Sequence, residues 1–168
     1  MKDKITDGVE KAYPFTGPHQ FAMGDWISCA PFERLLQIAI LRAADGKATL
    51  KMPFTLELAQ GAGLMHGGAL ISLADTAVVM AIKSMLPPQT HFATINMEAK
   101  FLHPVKKGFV TAEAEVLEHE GRSLRGRATL YDDEGRSVMD FSSTFKVARD
   151  TTIRSVSFKE TKQTPPGS

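Results

Sequence analysis

Several features that would narrow the function of this 168-residue chain are scarce or missing. Cys29 is the single cysteine, which excludes an internal disulfide and suits a reducing compartment. The net charge is +1, so nothing in it points to nucleic acid or an acidic membrane as a partner. The sequence shows no signal peptide, and its longest apolar run is too short and too interrupted to span a bilayer. These absences favour a single globular domain in the cytoplasm.

The signatures of several common enzyme sites are missing as well. The five histidines have no ligand spacing, and the single cysteine adds nothing, so we expect no metal site. The chain contains neither a Gly-x-Ser-x-Gly nucleophile motif nor a glycine-rich phosphate loop. We therefore expect chemistry that needs no resident cofactor.

The most informative segment is a nearly apolar run that predicts a helix over residues 68–82 and contains one carboxylate, Asp75. A carboxylate on an apolar surface is costly unless it is paired, hydrogen-bonded or used in chemistry. His66-Gly67-Gly68 precedes the run, and free backbone N–H groups at a helix start can bind a developing negative charge. Together these features outline an acyl-transfer site, although a hydrogen-bonded Asp75 after a tight glycine turn explains them equally well.

The spacing of these groups predicts an oligomer. Gly67 and Asp75 are eight residues apart, a rise of about 12 Å on a continuous helix. A base and an oxyanion donor must both lie about 3 Å from the reacting carbon, so one chain cannot supply both to one site. Two chains can do so across a two-fold axis, and we expect a homodimer or a homotetramer made of two dimers.

Alternating and turn-forming residues predict the remaining elements. Pro31 starts a short helix in which Phe32, Leu35 and Leu36 lay one face on the core. The predicted strands cover residues 37–43, 48–58, 91–102, 109–118, 122–131 and 136–147. In residues 94–101 polar and apolar side chains alternate, as in a half-buried antiparallel strand. The result is an α+β domain over residues 31–148, with an irregular leader (1–30) and a flexible tail (149–168).

A resemblance to a known family joins these observations. Gly63-Leu-Met-His66-Gly67-Gly68, followed by Leu73-Ala-Asp75-Thr-Ala77, resembles the core motif of hotdog-fold acyl-CoA thioesterases, in the branch that includes the phenylacetate-pathway enzymes. The resemblance covers the chain from about Phe32 to Val147. It implies the hotdog fold, in which an antiparallel sheet wraps around one long central helix.

The resemblance also implies roles for individual residues. The N–H of Gly67 polarises the thioester carbonyl, the partner subunit supplies Asp75 as base or nucleophile, and Thr94 helps to place the water. At the position where the family often has Asn, this chain has Gln60, whose longer side chain bears on rate and substrate preference more than on the reaction class. We expect His66 to shape the turn rather than to act as a base.

Coenzyme A as the leaving group requires contacts for its phosphates. A three-residue hairpin loop, 119–121, would place Glu115 opposite Arg125 and Glu113 opposite Arg127, and ion pairs would then occupy both arginines. This leaves Arg122 and Ser123, which match a stretch that family members place near the coenzyme. The expected substrate-binding residues are Gly68, Asn96, Arg122 and Ser123.

The leading hypothesis is hydrolysis of an acyl-CoA thioester to the free acid and CoA. One alternative is a hotdog dehydratase or hydratase acting on acyl-CoA or acyl carrier protein, but the Leu-Ala-Asp helix signature points away from it. Another is a regulator that binds acyl-CoA without turnover, but the sequence shows no helix-turn-helix or basic extension before the domain. The acyl group is open, because Met65, Met80, Met97 and Phe101 can each be pocket or core.

Overall fold

The computed structural model describes residues 23–149 and two short strands, β1 (His19–Gln20) and β8 (Lys159–Glu160), which pair in parallel. Residues 23–149 belong to one compact unit, and β1 and β8 belong to another. Most of the expected leader and tail lies outside the described residues. The expected domain boundaries therefore stay predictions.

The larger unit combines one long helix with an antiparallel sheet. Its elements are α1 (Pro31–Leu35), β2 (Ala39–Ala44), β3 (Lys47–Pro53), a 3-10 turn (Leu56–Leu58), α2 (Gly67–Lys83), β4 (Phe92–Phe101), β5 (Phe109–Glu120), β6 (Ser123–Tyr131) and β7 (Ser137–Val147). The strand order is β2-β3-β5-β6-β7-β4, and every neighbouring pair is antiparallel. The predicted α+β class and central helix are confirmed.

Helix α2 forms the centre of the core because apolar side chains surround most of it. Ten of its residues are buried: Ala69, Leu70, Leu73, Ala74, Thr76, Ala77, Val78, Met80, Ala81 and Ile82. The sheet residues that form the core with them include Leu50, Met52, Val110, Leu124, Leu130, Met139 and Phe145. Gly126 lies directly beneath the helix, where any Cβ would overlap Val78 Cγ1. This close approach fixes where the helix rests on the sheet.

In the first hairpin, β2 starts later than predicted and β3 ends earlier than predicted. Asp45 and Gly46 both have positive φ, as in the two-residue turn whose twist matches that of the flanking strands. Gln37 has a φ of 56°, so β2 starts only at Ala39. The predicted strand 48–58 ends at Pro53, because proline has no N–H to continue a ladder, and a 3-10 turn follows.

The prediction for the short helix α1 is correct in position but wrong in orientation. Its five residues start at Pro31 as expected. Phe32 is 54% exposed and Leu35 is 75% exposed, and only Leu36, at the end of the helix, is buried. None of the five helical residues is buried, and Leu36 is the C-cap that follows them.

The β5–β6 hairpin has a different register from the predicted one. Glu120 pairs with Ser123, so the turn is the two residues Gly121 and Arg122, and a bulge between Val116 and Glu118 shifts the register again. As a result, Arg125 pairs with Glu118 and Arg127 pairs with Glu115. The arginines are ion-paired as expected, but with other partners.

A bulge also breaks the predicted alternation in β4. Thr94 pairs with Phe145 and Asn96 pairs with Thr144, which leaves Ile95 as the extra residue. Directly opposite residues share a face, so Thr94 lies on the helix side with buried Phe145, whereas Asn96 lies on the outer side with Thr144. After the bulge Met97, Ala99 and Phe101 face the helix side.

Candidate active site

The start of helix α2 is held by its own cap. His66 is the N-cap, and its Nδ1 accepts a hydrogen bond from the Gly68 N–H at 2.9 Å. The His66 N–H donates to the Leu58 carbonyl at 2.8 Å, and the Met65 N–H donates to Val105 at 3.0 Å. Because Nδ1 accepts, the ring proton of a neutral His66 sits on Nε2. The structure thus gives His66 contacts that shape the turn.

Gly67, the first residue of the helix, has a free backbone donor. The described residues include no acceptor for its N–H, while the next two N–H groups bond to His66. The ring of Phe101 lies against its α carbon, since a Cβ there would meet Phe101 Cζ at 3.1 Å. A free N–H at the positive end of a helix, without a side chain to block it, can receive an oxyanion.

Gln60 lies in the loop before this turn and uses part of its amide there. Its Oε1 accepts from the Ala62 N–H at 2.6 Å. Backbone bonds from the Gln60 N–H to Leu64 and from the Gly63 N–H to Gln60 tighten the same loop. The amide NH₂ of Gln60 has no recorded partner within the described residues, so a donor is available to a ligand.

Asp75 lies two turns further along α2 and is half-buried. Thr94 Oγ1 lies 3.3 Å from each of its carboxylate oxygens. One hydroxyl proton serves both contacts, and both are longer than a typical O–H···O bond, so the carboxylate keeps acceptor capacity for water. Burial raises the pKa of the Asp75 carboxyl, and the Thr94 hydrogen bond lowers it by a smaller amount. A carboxylate with a raised pKa is a stronger base once it is ionised.

The functional side chains therefore form two clusters within one protomer. The helix-start cluster comprises Gln60, His66, Gly67, Gly68 and Phe101. The mid-helix cluster comprises Asp75 and Thr94. Helix α2 is continuous between them, so about 12 Å of helical rise separates Gly67 from Asp75. Neither cluster alone contains both the free N–H and the carboxylate.

The other expected substrate contacts lie apart from these clusters. Arg122 is exposed in the β5–β6 turn and donates through Nη1 to the Val147 carbonyl at 3.0 Å. Ser123 pairs with Glu120 and Lys146 at the start of β6. Asn96 is on the outer face of the sheet, beyond the bulge. Their roles in substrate binding stay predictions.

The sequence analysis did not anticipate the exposure of strand β4. This edge strand carries Ile95, Met97 and Phe101, which are 57%, 46% and 52% exposed. The other two candidate pocket residues, Met65 and Met80, are core residues at 5% and 2% exposure. The missing signal is strand order, because a sequence pattern does not reveal which strand lies at an edge.

Two further features, a metal centre and a membrane-spanning helix, are absent from the described residues. No group of three or more histidine, cysteine or acidic side chains there is arranged to hold a metal ion. None of the described helices is long and apolar enough to cross a membrane. The cellular location stays a prediction.

Comparisons with known proteins bear on these clusters. A sequence profile of the thioesterase superfamily matches residues 62–139, which include both clusters except Gln60. The chain is 30% identical over 111 residues to 1,4-dihydroxy-2-naphthoyl-CoA hydrolase from Listeria monocytogenes, covering 66% of this chain and 89% of that protein. The PaaI protein from the phenylacetic acid degradation operon of E. coli has a similar structure, with a TM-score of 0.66 at 25% identity over 71% of this chain and 85% of that one.

One relative is matched over a smaller part of its length. The chain is 33% identical over 87 residues to a protein from Halobacterium salinarum, which is 49% of this chain. The match spans 57% of that relative. The activity, substrate and partners of the whole protein are therefore inferred below from the site.

Proposed function

This chain belongs to the thioesterase superfamily and has the hotdog fold, and we propose that it hydrolyses acyl-CoA thioesters to a free acid and CoA. The observation that carries this proposal is the pair of groups on α2. A free N–H lies at its first residue, and a half-buried carboxylate with a raised pKa lies two turns later.

The Gly67 N–H supplies the electrostatic part of the reaction. It donates to the thioester oxygen, which becomes negative as the carbonyl carbon turns tetrahedral. The positive end of the helix dipole strengthens this bond. Gln60, with its unpartnered NH₂, orients the thioester or the water, and Gly68 and His66 hold the turn in place.

Asp75 supplies the base. As a general base it takes a proton from water while the water oxygen bonds to the carbonyl carbon, and the C–S bond then breaks to release the CoA thiolate. In the second possible route, Asp75 attacks directly and forms a mixed anhydride that water hydrolyses. Thr94 orients the carboxylate or the water in both routes.

A homodimer completes the site, with Gly67 from one protomer and Asp75 from its partner. The helical rise keeps these groups apart within one chain. Edge strand β4, which carries Thr94, also exposes Ile95, Met97 and Phe101. Exposed apolar side chains on an open sheet edge favour pairing with another strand. A homotetramer of two such dimers is compatible with this arrangement.

Residues at the β5–β6 turn and on β4 supply the contacts for the CoA phosphates in this proposal. Arg122 is exposed and only one of its donors is recorded in a hydrogen bond, so it has donors to offer a phosphate. Ser123 adjoins it in the same turn, and Asn96 is kept as a further contact.

A panel of acyl-CoAs with a thiol reagent tests the reaction. Release of CoA thiol, with multiple turnovers and formation of the free acid, is the expected result. Binding without turnover, or hydration of an unsaturated acyl-CoA without thiol release, would contradict it. Single turnover in heavy-oxygen water then separates the two routes, because only direct attack leaves label in Asp75.

A further inference from the structure

Phe101 occupies an unusual position for a large aromatic residue. It is the last residue of β4, lies opposite Met139 and faces the helix side of the sheet. Its ring contacts Gly67, since Cζ and Cε1 lie 3.1 Å and 3.2 Å from the place of a Gly67 Cβ. One part of the ring therefore lies on the residue whose N–H is free.

The rest of that ring is open. Phe101 is 52% exposed, whereas Phe141 and Phe145, which face the same side from β7, are 3% and 0% exposed. An aromatic ring left half-exposed beside an unpaired donor offers apolar surface to whatever molecule binds that donor.

We propose that the Phe101 ring is the wall against which the first carbons of the acyl chain pack, and that it selects acyl groups that are apolar next to the carbonyl. This inference rests on the proposed function, because it places the thioester oxygen on the Gly67 N–H. The first acyl carbons after that carbonyl then lie beside the ring. A hydroxyl or charge at those carbons loses water against the ring without gaining a partner there.

A second explanation of the exposed ring makes a different prediction. If Phe101 only fills the contact between two copies of the chain, its removal weakens the dimer and lowers all rates in proportion. If it contacts the acyl chain, its removal changes the ratio of rates for two acyl groups. The ratio therefore decides between the explanations, because a loss of dimer cancels from it.

Butanoyl-CoA and each enantiomer of 3-hydroxybutanoyl-CoA form a matched pair that differs by one hydroxyl. We expect the wild type to have the higher kcat/KM for butanoyl-CoA, and Phe101→Ala to reduce that preference by about 10-fold. Phe101→Leu, which keeps an apolar side chain, should retain most of it. Phe109→Ala is the control, because Phe109 is also exposed, at 43%, but contacts Lys51 instead. An unchanged ratio in Phe101→Ala would overturn the proposal.

Binding keeps the test independent of turnover. The ketone analogues S-(2-oxopentyl)-CoA and S-(4-hydroxy-2-oxopentyl)-CoA keep a carbonyl oxygen for the Gly67 N–H but cannot be hydrolysed, and calorimetry gives their Kd values for the same variants. If the wild type hydrolyses no acyl-CoA, the proposed function fails, and the ratio of these Kd values still decides the role of Phe101. A ratio that is equal in wild type and Phe101→Ala would overturn that role.

A double-mutant cycle tests the contact itself. Gly67 has no positive φ, so alanine fits the helix start and keeps the N–H, but its methyl group must displace the Phe101 ring. Gly67→Ala should therefore lower kcat/KM for butanoyl-CoA by a larger factor in the wild type than in Phe101→Ala. Equal factors would mean that the two residues act independently and would contradict the proposed wall.

Discussion

Helix α2 presents a backbone N–H at Gly67 and a carboxylate at Asp75, and the two positions differ in exposure, chemistry and support. The helix start is open, carries no side chain and is held by backbone bonds and the His66 cap. The middle of the helix is half-buried, and Asp75 is held by one hydroxyl, that of Thr94.

The difference suits the role that we propose for each group. A donor for an oxyanion needs a fixed direction and open access, which the backbone of a capped helix start provides. A base needs a pKa above that of a surface aspartate, and burial supplies this at a cost in stability. Neither position can take over the other role, so substitutions at the two positions should have separable effects.

Asp75→Asn should produce the largest effect, a loss of about 10³-fold in kcat, because the amide has the same shape but cannot accept the proton. Steady-state kinetics on the best acyl-CoA measures this. Asp140→Asn is the matched control, since Asp140 lies on β7 and contacts Thr129. A kcat within a few-fold of wild type in Asp75→Asn would remove Asp75 from the mechanism.

The same variant should be more stable than the wild type at neutral pH. Burial raises the folded-state pKa of Asp75, so its contribution to stability is present at low pH and is lost as the pH rises through that value. The amide carries no such cost. Thermal unfolding should show a higher Tm for Asp75→Asn at neutral pH and a smaller difference in acid.

Mixing two inactive variants tests whether the two clusters come from different chains. Gly67→Pro removes the donor and Asp75→Ala removes the base. Random pairing makes about half of the dimers mixed, each with one intact site, so up to about a quarter of wild-type activity should return. Each variant must first be shown to fold. No recovery after verified subunit exchange would assign both groups to one chain.

Thr94→Val tests the contact within the mid-helix cluster. The Thr94 hydroxyl lowers the pKa of Asp75, so its removal should raise that pKa further. The acid limb of the rate profile, where Asp75 becomes protonated, should therefore move to higher pH. Thr144→Val, on the outer face of the sheet, is the control and should leave the limb in place. A limb that stays fixed in Thr94→Val would mean that Thr94 does not act through Asp75.

His66→Ala should give the smallest effect, a loss of about 1 kcal/mol in the free energy of unfolding, because the Gly68 N–H loses its cap. Urea unfolding measures it, and His66→Asn should recover most of the loss. If His66→Ala instead lowered kcat as strongly as Asp75→Asn, His66 would be part of the proton transfer rather than of the turn.

The parts of the fold that local pattern determines were predictable. Helix α2 was expected over residues 68–82 and spans Gly67–Lys83, because a long apolar run after a glycine pair has few alternatives. The later strands lie close to their predicted ranges, since turn-forming residues bound them. The family resemblance singled out Thr94, but its contact with Asp75 could not be predicted, because no pattern within the chain relates residues 19 positions apart on different elements.

The errors arise where two elements decide a structure together. The bulges after Val116 and at Ile95 depend on how both strands pair, so neither register nor face could be read from one strand. The exposure of Phe32 and Leu35 could not be predicted from their spacing, which places them on one face of a helix but does not show whether the core covers that face. For the site, the contact between Phe101 and Gly67 joins a strand end to a helix start that lie 34 positions apart in the chain.

The distance between Asp75 and Thr94 also depends on Gly126, which belongs to neither cluster. It lies on the interior strand β6 beneath Val78, which follows Asp75 by three residues on α2. A methyl group at Gly126 would lift this part of the helix, and the gap between Asp75 and Thr94, already 3.3 Å, would widen beyond hydrogen-bonding range. The alignment of the proposed base thus depends on the absence of a side chain at Gly126, so a larger residue introduced there to stabilise the core should lower activity although it contacts neither cluster.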